Sequence, residues 1–157
     1  MNDDFHKILF NYLTEAGLST TAASYLNLAI LLIVALVLAW FLDLLIWKVL
    51  RSVSLRLARK SKTNFDNFLV ANRVPRYLAH IVPLSILIEF VPFAFIGFDY
   101  AAEIVLKFLH VLFVVLALYV VKSVFTSIND YLKTKPRFRD KPMGSYIQVF
   151  MIFAWIV

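Results

Sequence analysis

The sequence predicts an all-α integral membrane protein with about four transmembrane helices and a short N-terminal helix on the membrane interface. Hydrophobic residues fill 62% of the 157 positions, charged residues only 17%, and the mean hydropathy is +0.80. The apolar residues form long blocks instead of recurring at the period of half-buried helices or strands. Basic residues cluster directly beside these blocks. Together these observations exclude a water-soluble domain.

Four hydrophobic blocks are the predicted membrane helices, at about residues 26–47, 77–98, 100–121 and 146–157. Each of the first three has about twenty residues, enough to cross a hydrocarbon core of about 30 Å. Gly97, Phe98 and Asp99 leave room only for a tight turn, so the second and third helices should form an antiparallel hairpin. The fourth block spans only about 18 Å up to Val157, so we expect the natural gene product to continue.

Residues 1–25 form a separate N-terminal segment before the transmembrane domain of residues 26–157. Phe5, Ile8, Leu9 and Tyr12 recur at helical spacing before Gly17, a typical helix stop. We expect an amphipathic helix that lies on the outer interface.

Two further helical segments are expected on the opposite side. Val49 and Val53 continue one apolar face beyond the first block, so the first transmembrane helix should extend past the membrane. Thr63 and Asp66 resemble a capping box that opens a short helix ending before Pro75.

The orientation follows from the Lys and Arg residues of the short loops, which mark the cytoplasmic side. The loop after the first block and the loop after the third are strongly basic, whereas the N-terminal segment and the hairpin turn are mainly acidic. The N-terminus is therefore expected outside the cytoplasm. The formal charge of +6 points to membrane lipids as partners and not to nucleic acid, because the basic residues adjoin the hydrophobic blocks. The candidate contacts to lipid headgroups are Arg56, Arg59, Lys60, Lys62, Arg73 and Arg76.

Charged residues inside the blocks are the candidates for a special role, because a charge within a membrane is energetically costly. Glu89 and Lys107 lie at similar depths on the two arms of the hairpin and are the candidate intramembrane pair. A protonated Glu89 facing protein, or a proton or ion path, is the alternative. Asp43 lies within about a turn of Lys48, near the cytoplasmic interface, which favours a structural role.

No catalytic, cofactor-binding or metal site is predicted. His6, His80 and His110 fall in three different elements, none within a metal-binding motif, and cysteine is absent. Pro83 and Pro92 are expected to bend the second helix, and a gating hinge is the alternative.

Two stretches resemble a known family: NFDNFLVANRVPRYLAHIVP at residues 64–83, and KPMGSYIQVFMIFAWIV at residues 141–157. Both are similar to the membrane domain of the small-conductance mechanosensitive channel (MscS) superfamily, specifically its miniconductance, YbdG-like branch with five transmembrane helices. The resemblance implies a homo-heptameric ion channel of the bacterial inner membrane, which releases solutes under osmotic stress.

Within such a channel this chain would be the peripheral transmembrane paddle. The pore helix and the cytoplasmic domain would follow after Val157, so no pore-lining residue is assigned here. The alternative is a membrane anchoring or sensing domain of a signalling protein. An enzyme acting on lipids and a transporter are weaker alternatives, since neither a charged interfacial motif nor an inverted repeat is visible.

Overall fold

The computed structural model describes residues 2–60 and 65–135, together with Ser145, Gln148, Val149 and Ile152. Within these residues the helices are α1 (Asn2–Glu15), α2 (Thr20–Lys60), α3 (Phe65–Ala71), α4 (Val74–Ala94) and α5 (Asp99–Lys133). No strand occurs in this part of the chain, so the all-α prediction is confirmed.

Three of the described helices are long and apolar enough to cross a membrane. They are Thr20–Arg56, Val74–Ala94 and Asp99–Lys133, with mean hydropathies of 2.9, 1.7 and 2.7 over their most apolar stretches. These are the first three predicted spans, as expected of a membrane protein. The fourth predicted span, residues 146–157, lies almost entirely outside the described residues, and Thr63 and Lys62 also lie outside them. Helix α1 is present, but its position on a membrane surface stays a prediction.

The helices are longer than the hydrophobic blocks that predicted them. Helix α2 begins at Thr20, where Ser19 caps it by accepting a hydrogen bond from the backbone N–H of Ala22 at 3.3 Å. It continues to Lys60, as the apolar face at Val49 and Val53 predicted, and α5 continues to Lys133, which was not predicted. The backbone hydrogen bonds of a helix do not require apolar side chains, and Arg, Lys and Leu are all good helix formers. Hydropathy therefore located the membrane spans but underestimated the lengths of the helices that contain them.

The chain divides into two compact units, and the first comprises Met1–Leu42 and Pro83–Val111. Its core consists of Leu31 from α2 with Val91, Ala94 and Phe95 from the end of α4. Partly buried apolar residues of α5, including Leu106 and Leu109, pack against this core.

Two glycines end helices of the first unit with positive φ angles. Gly17 (φ 92°) follows α1, as predicted, and Gly97 (φ 85°) lies in the turn between α4 and α5. The N–H of Phe98 bonds to the carbonyl of Phe95 at 2.8 Å and closes this turn. Glycine adopts such left-handed angles without a steric penalty, which is why the hairpin turns here.

The second unit comprises Asp43–Val82 and Leu112–Val157. Aromatic contacts join its helices: Tyr77 of α4 stacks on Tyr119 of α5, with 5.7 Å between the ring centroids, and Phe65 and Phe68 of α3 meet Tyr131 of α5 edge to face. Aromatic pairs of this kind add stability beyond the area that they bury. This unit also contains the arginine residues that form the candidate site.

Candidate functional site

Trp47 on α2 is the centre of the candidate site. The guanidinium carbon of Arg51, one helical turn later, lies 5.3 Å from the centroid of the Trp47 ring. The guanidinium carbon of Arg76, in the first turn of α4, lies 5.6 Å from the same ring system. Both distances are within the range of cation–π attraction, which is strongest for tryptophan. One indole therefore positions two guanidinium groups that come from different helices.

These groups border a pocket of about 510 Å³. Its lining residues are Trp47, Arg51, Val70, Arg73, Pro75 and Arg76. The lining therefore contains three guanidinium groups and no carboxylate. The volume falls within the range that small-molecule sites occupy in proteins. The chemistry of the lining suits an anion with an apolar portion, because Val70, Pro75 and Trp47 supply an apolar wall.

Arg73 occupies an unusual backbone conformation at the mouth of the pocket. Its φ angle is 62°, the left-handed region that few residues other than glycine adopt. It lies in the turn between α3 and α4, where its N–H donates to the carbonyl of Val70 at 3.1 Å. Its own carbonyl accepts hydrogen bonds from the N–H groups of Arg76 at 3.0 Å and Tyr77 at 3.2 Å, the first bonds of α4. The same turn thus ends one helix and begins the next.

Side chains of α5 fasten this turn. Ser123 donates its hydroxyl hydrogen bond to the carbonyl of Asn72. The hydroxyl of Ser127 lies within donating distance of two carbonyls, that of Phe68 at 3.1 Å and that of Ser123 on its own helix at 2.8 Å. The side-chain amide of Asn72 donates to Oδ2 of Asp130, also at 3.1 Å. Ser123 and Ser127 are both buried. The carbonyl of Phe68 also accepts the backbone N–H of Asn72 at 3.0 Å, so the bonds from α5 add to the backbone bonds at the end of α3 and help to hold the turn in place.

A polar contact between α2 and α4 lies one helical turn from Trp47 on α2 and one helical turn from Arg76 on α4. Nδ1 of His80 lies 2.5 Å from Oδ1 of Asp43. Asp43 precedes Trp47 by four residues, and His80 follows Arg76 by four. Asp43 therefore shares a face of α2 with Trp47, and His80 shares a face of α4 with Arg76. From the sequence, Asp43 was predicted to have a structural role beside Lys48, and no partner was predicted for His80. The i, i+4 spacing was the signal that could have related both residues to the site.

The six predicted headgroup contacts are distributed unevenly. Arg73 and Arg76 line the pocket, and Arg56 is exposed on α2. Arg59 and Lys60 belong to α2, but their side chains, like the whole of Lys62, lie outside the described residues. Trp47 and Arg51 were not among the predicted contacts, although both line the pocket together with Arg73 and Arg76.

The predicted pair of Glu89 with Lys107 is not what the structure shows. Nζ of Lys107 bonds to Oε1 of Glu103 at 2.6 Å, one turn earlier on α5. Among the described residues no hydrogen bond or ion pair joins Glu89 to Lys107, and Glu89 is exposed. The reason is local geometry: side chains at i and i+4 on one helix lie close together whatever the packing, whereas the interhelical pair requires a particular rotation of both helices.

Metal binding finds no support in the described part of the chain, where no three His, Asp or Glu side chains lie together. His110 instead lies with Nδ1 2.7 Å from the carbonyl of Leu106 on its own helix.

Comparison with known proteins identifies no relative of this chain. No protein-family model, curated protein or solved structure matches the chain. The resemblance to the mechanosensitive channels therefore stays a prediction from the two sequence stretches.

Proposed function

We propose that this chain is the peripheral, lipid-facing transmembrane domain of a tension-gated mechanosensitive ion channel, which releases solutes when hypo-osmotic shock stretches the membrane. The similarity of residues 64–83 and 141–157 to the MscS superfamily supports this proposal. On this proposal the chain lies in the bacterial inner membrane with its N-terminus outside the cytoplasm, in a homo-heptamer.

The observation that carries the proposal is the apolar surface that the helices leave uncovered. None of the most apolar stretch of α5 is buried within the chain, and only 11% of that of α2 is buried. Trp40 on α2 is 65% exposed and Phe108 on α5 is 62% exposed. Soluble proteins rarely expose contiguous apolar surface on this scale, whereas lipid tails cover it without cost. A domain that meets lipid over so much of its surface is suited to respond to the state of the bilayer.

The mechanism follows from a two-state equilibrium. Membrane tension favours whichever state occupies the larger area in the plane of the bilayer, and lipids that bind one state better shift the same equilibrium. Basic side chains at the cytoplasmic end of α2 and the start of α4 would hold the domain to anionic headgroups, each near-surface charge contributing about 1 kcal/mol. Lipid-facing helices could then transmit a change of tension to a pore formed elsewhere in the assembly.

Patch-clamp recording under graded suction tests this function. The complete gene product would be expressed in spheroplasts that lack their own mechanosensitive channels. We expect unitary currents that appear only under suction. Silence up to the tension at which the membrane ruptures, with the protein shown to be present in the patch, would contradict the channel function and favour a membrane anchoring or sensing domain of a signalling protein.

A further inference from the structure

We propose that the pocket formed by Trp47, Arg51, Arg73 and Arg76 is a binding site for a phosphate ester, supplied by the headgroup of an anionic phospholipid. This inference uses only the membrane placement from the proposed function, and it holds whether or not the assembly conducts ions. It differs from diffuse attraction between basic residues and a membrane, because it assigns one pocket and one chemical group.

The charge of the pocket is the first argument. Three arginine residues line one cavity whose lining contains no acidic residue. In the described part of the chain, none of these three side chains makes a hydrogen bond or an ion pair. Like charges held around a common space repel each other, and an anion between them turns that repulsion into attraction. Arginine suits phosphate in particular, because its planar fork donates two parallel hydrogen bonds to neighbouring oxygens.

The orientation of the arginines is the second argument. Arg51 and Arg76 both lie over the ring system of Trp47. Cation–π contact engages the face of a guanidinium and leaves the N–H groups at its edge free to bind oxygen atoms. Tryptophan is also the side chain that prefers the headgroup level of a membrane. The apolar side chains of Val70 and Pro75 complete a wall against which the glycerol portion of a lipid can pack.

The rigidity of the turn that carries Arg73 is the third argument. A left-handed arginine costs free energy, and such conformations persist only where surrounding contacts hold them. Here α5 supplies those contacts through Ser123 and Ser127, and Asn72 is further held by Asp130. A backbone that is already held in its bound conformation loses little conformational entropy when its side chain binds a ligand, which increases affinity.

Titration of the protein in detergent, followed by native mass spectrometry, provides the test. The ligands are phosphatidylglycerol, phosphatidylcholine with the same acyl chains, and inorganic phosphate as competitor. We expect phosphatidylglycerol to bind at least about tenfold more tightly than phosphatidylcholine, the equivalent of one good charge-assisted contact. The variant Arg51→Gln/Arg76→Gln should lose this preference. The control Lys48→Gln/Lys122→Gln removes the same charge from residues that neither line the pocket nor belong to the predicted headgroup contacts, and should keep it.

A second variant guards against misfolding and against a purely electrostatic explanation. Arg51→Lys/Arg76→Lys keeps both charges but removes the planar forks, and we expect it to weaken phosphatidylglycerol binding by about tenfold. The proposed site would be overturned if the glutamine variant and its control lost the same affinity for phosphatidylglycerol, or if the lysine variant kept full affinity for it. Competition by inorganic phosphate as effective as that by the lipid would support the phosphate chemistry but assign the pocket to a soluble phosphate. If the protein carries suction-activated currents but shows no preference for phosphatidylglycerol, the binding site is rejected and the channel function stands. If it prefers phosphatidylglycerol but carries no current, the channel function is rejected and the binding site stands.

Discussion

Nδ1 of His80 lies 2.5 Å from Oδ1 of Asp43, so a polar contact joins two helices that are otherwise strongly apolar. The side chains are 37% and 24% exposed, respectively. Helices within a membrane gain no hydrophobic free energy from meeting each other, because lipid tails are equally apolar. Polar contacts of this kind therefore contribute to which faces of α2 and α4 meet, and with them to the position of Trp47 and Arg76.

A double-mutant cycle of Asp43→Leu and His80→Leu measures this contact. We expect a coupling free energy of about 0.6 to 1.7 kcal/mol, the range found for polar contacts between membrane helices. Unfolding in a detergent titration is the measurement. The control cycle pairs Asp43→Leu with Thr126→Val, whose hydroxyl bonds to the carbonyl of Lys122 on its own helix and should show no coupling. Additive effects in both cycles would mean that the contact does not contribute.

The variant Ser127→Ala tests the fastening of the turn between α3 and α4. Ser127 is fully buried and its hydroxyl is shared between the carbonyls of Phe68 and Ser123, so its removal takes away a link from α5 to the end of α3. We expect the free energy of unfolding to fall by about 1 to 2 kcal/mol, and amide exchange at Arg73 to accelerate. Thr126→Val, at the next position and bonded only within α5, should change exchange at Arg73 little. Unchanged exchange in Ser127→Ala would contradict the fastening.

Substitutions of Arg73 separate its backbone role from its charge. Arg73→Gly removes the side chain but adopts the φ of 62° freely, whereas Arg73→Ala must keep the strain. We expect the glycine variant to be more stable than the alanine variant by about 1 kcal/mol in the same unfolding titration. Both should bind phosphatidylglycerol more weakly, because both lack the guanidinium. Equal stabilities would show that residue 73 does not keep a left-handed backbone in the membrane.

Gly97→Ala tests the hairpin turn between α4 and α5. No atom lies within 4 Å of the added Cβ, so the cost should come from the φ of 85° alone. We expect the free energy of unfolding to fall by about 1 kcal/mol. Gly97→Asn, a residue that tolerates left-handed angles, should cost less and is the matched control. A neutral alanine variant would be incompatible with the positive φ.

Lys107 has two candidate partners, and mutant cycles distinguish them. Lys107 and Glu103 are 74% and 62% exposed, so their contact should couple by only about 0.3 to 0.5 kcal/mol in Lys107→Gln combined with Glu103→Gln. The structure predicts no coupling between Lys107→Gln and Glu89→Gln. A larger coupling to Glu89 than to Glu103 would restore the interhelical pair expected from the sequence.

Much of the fold could be predicted from the sequence because hydropathy acts locally. The blocks at residues 26–47, 77–98 and 100–121 each correspond to a long helix, and the glycine at position 97 ends one of them as expected. Helix ends were less predictable. The apolar face at Val49 and Val53 predicted that α2 continues past the membrane, but nothing predicted that α5 continues to Lys133, because a helix can continue through polar residues of good helix propensity.

The candidate site, like the fold, was predictable only in part from the sequence. The sequence by itself determined the class of protein, the three described spans and the presence of basic residues beside them, because composition and local spacing govern each of these. Only the tertiary structure decided which arginines share a pocket, that Trp47 lies beneath two of them, and that His80 meets Asp43. Those contacts depend on how α2 and α4 are rotated about their axes, and rotation is set by packing between side chains that are distant in the sequence.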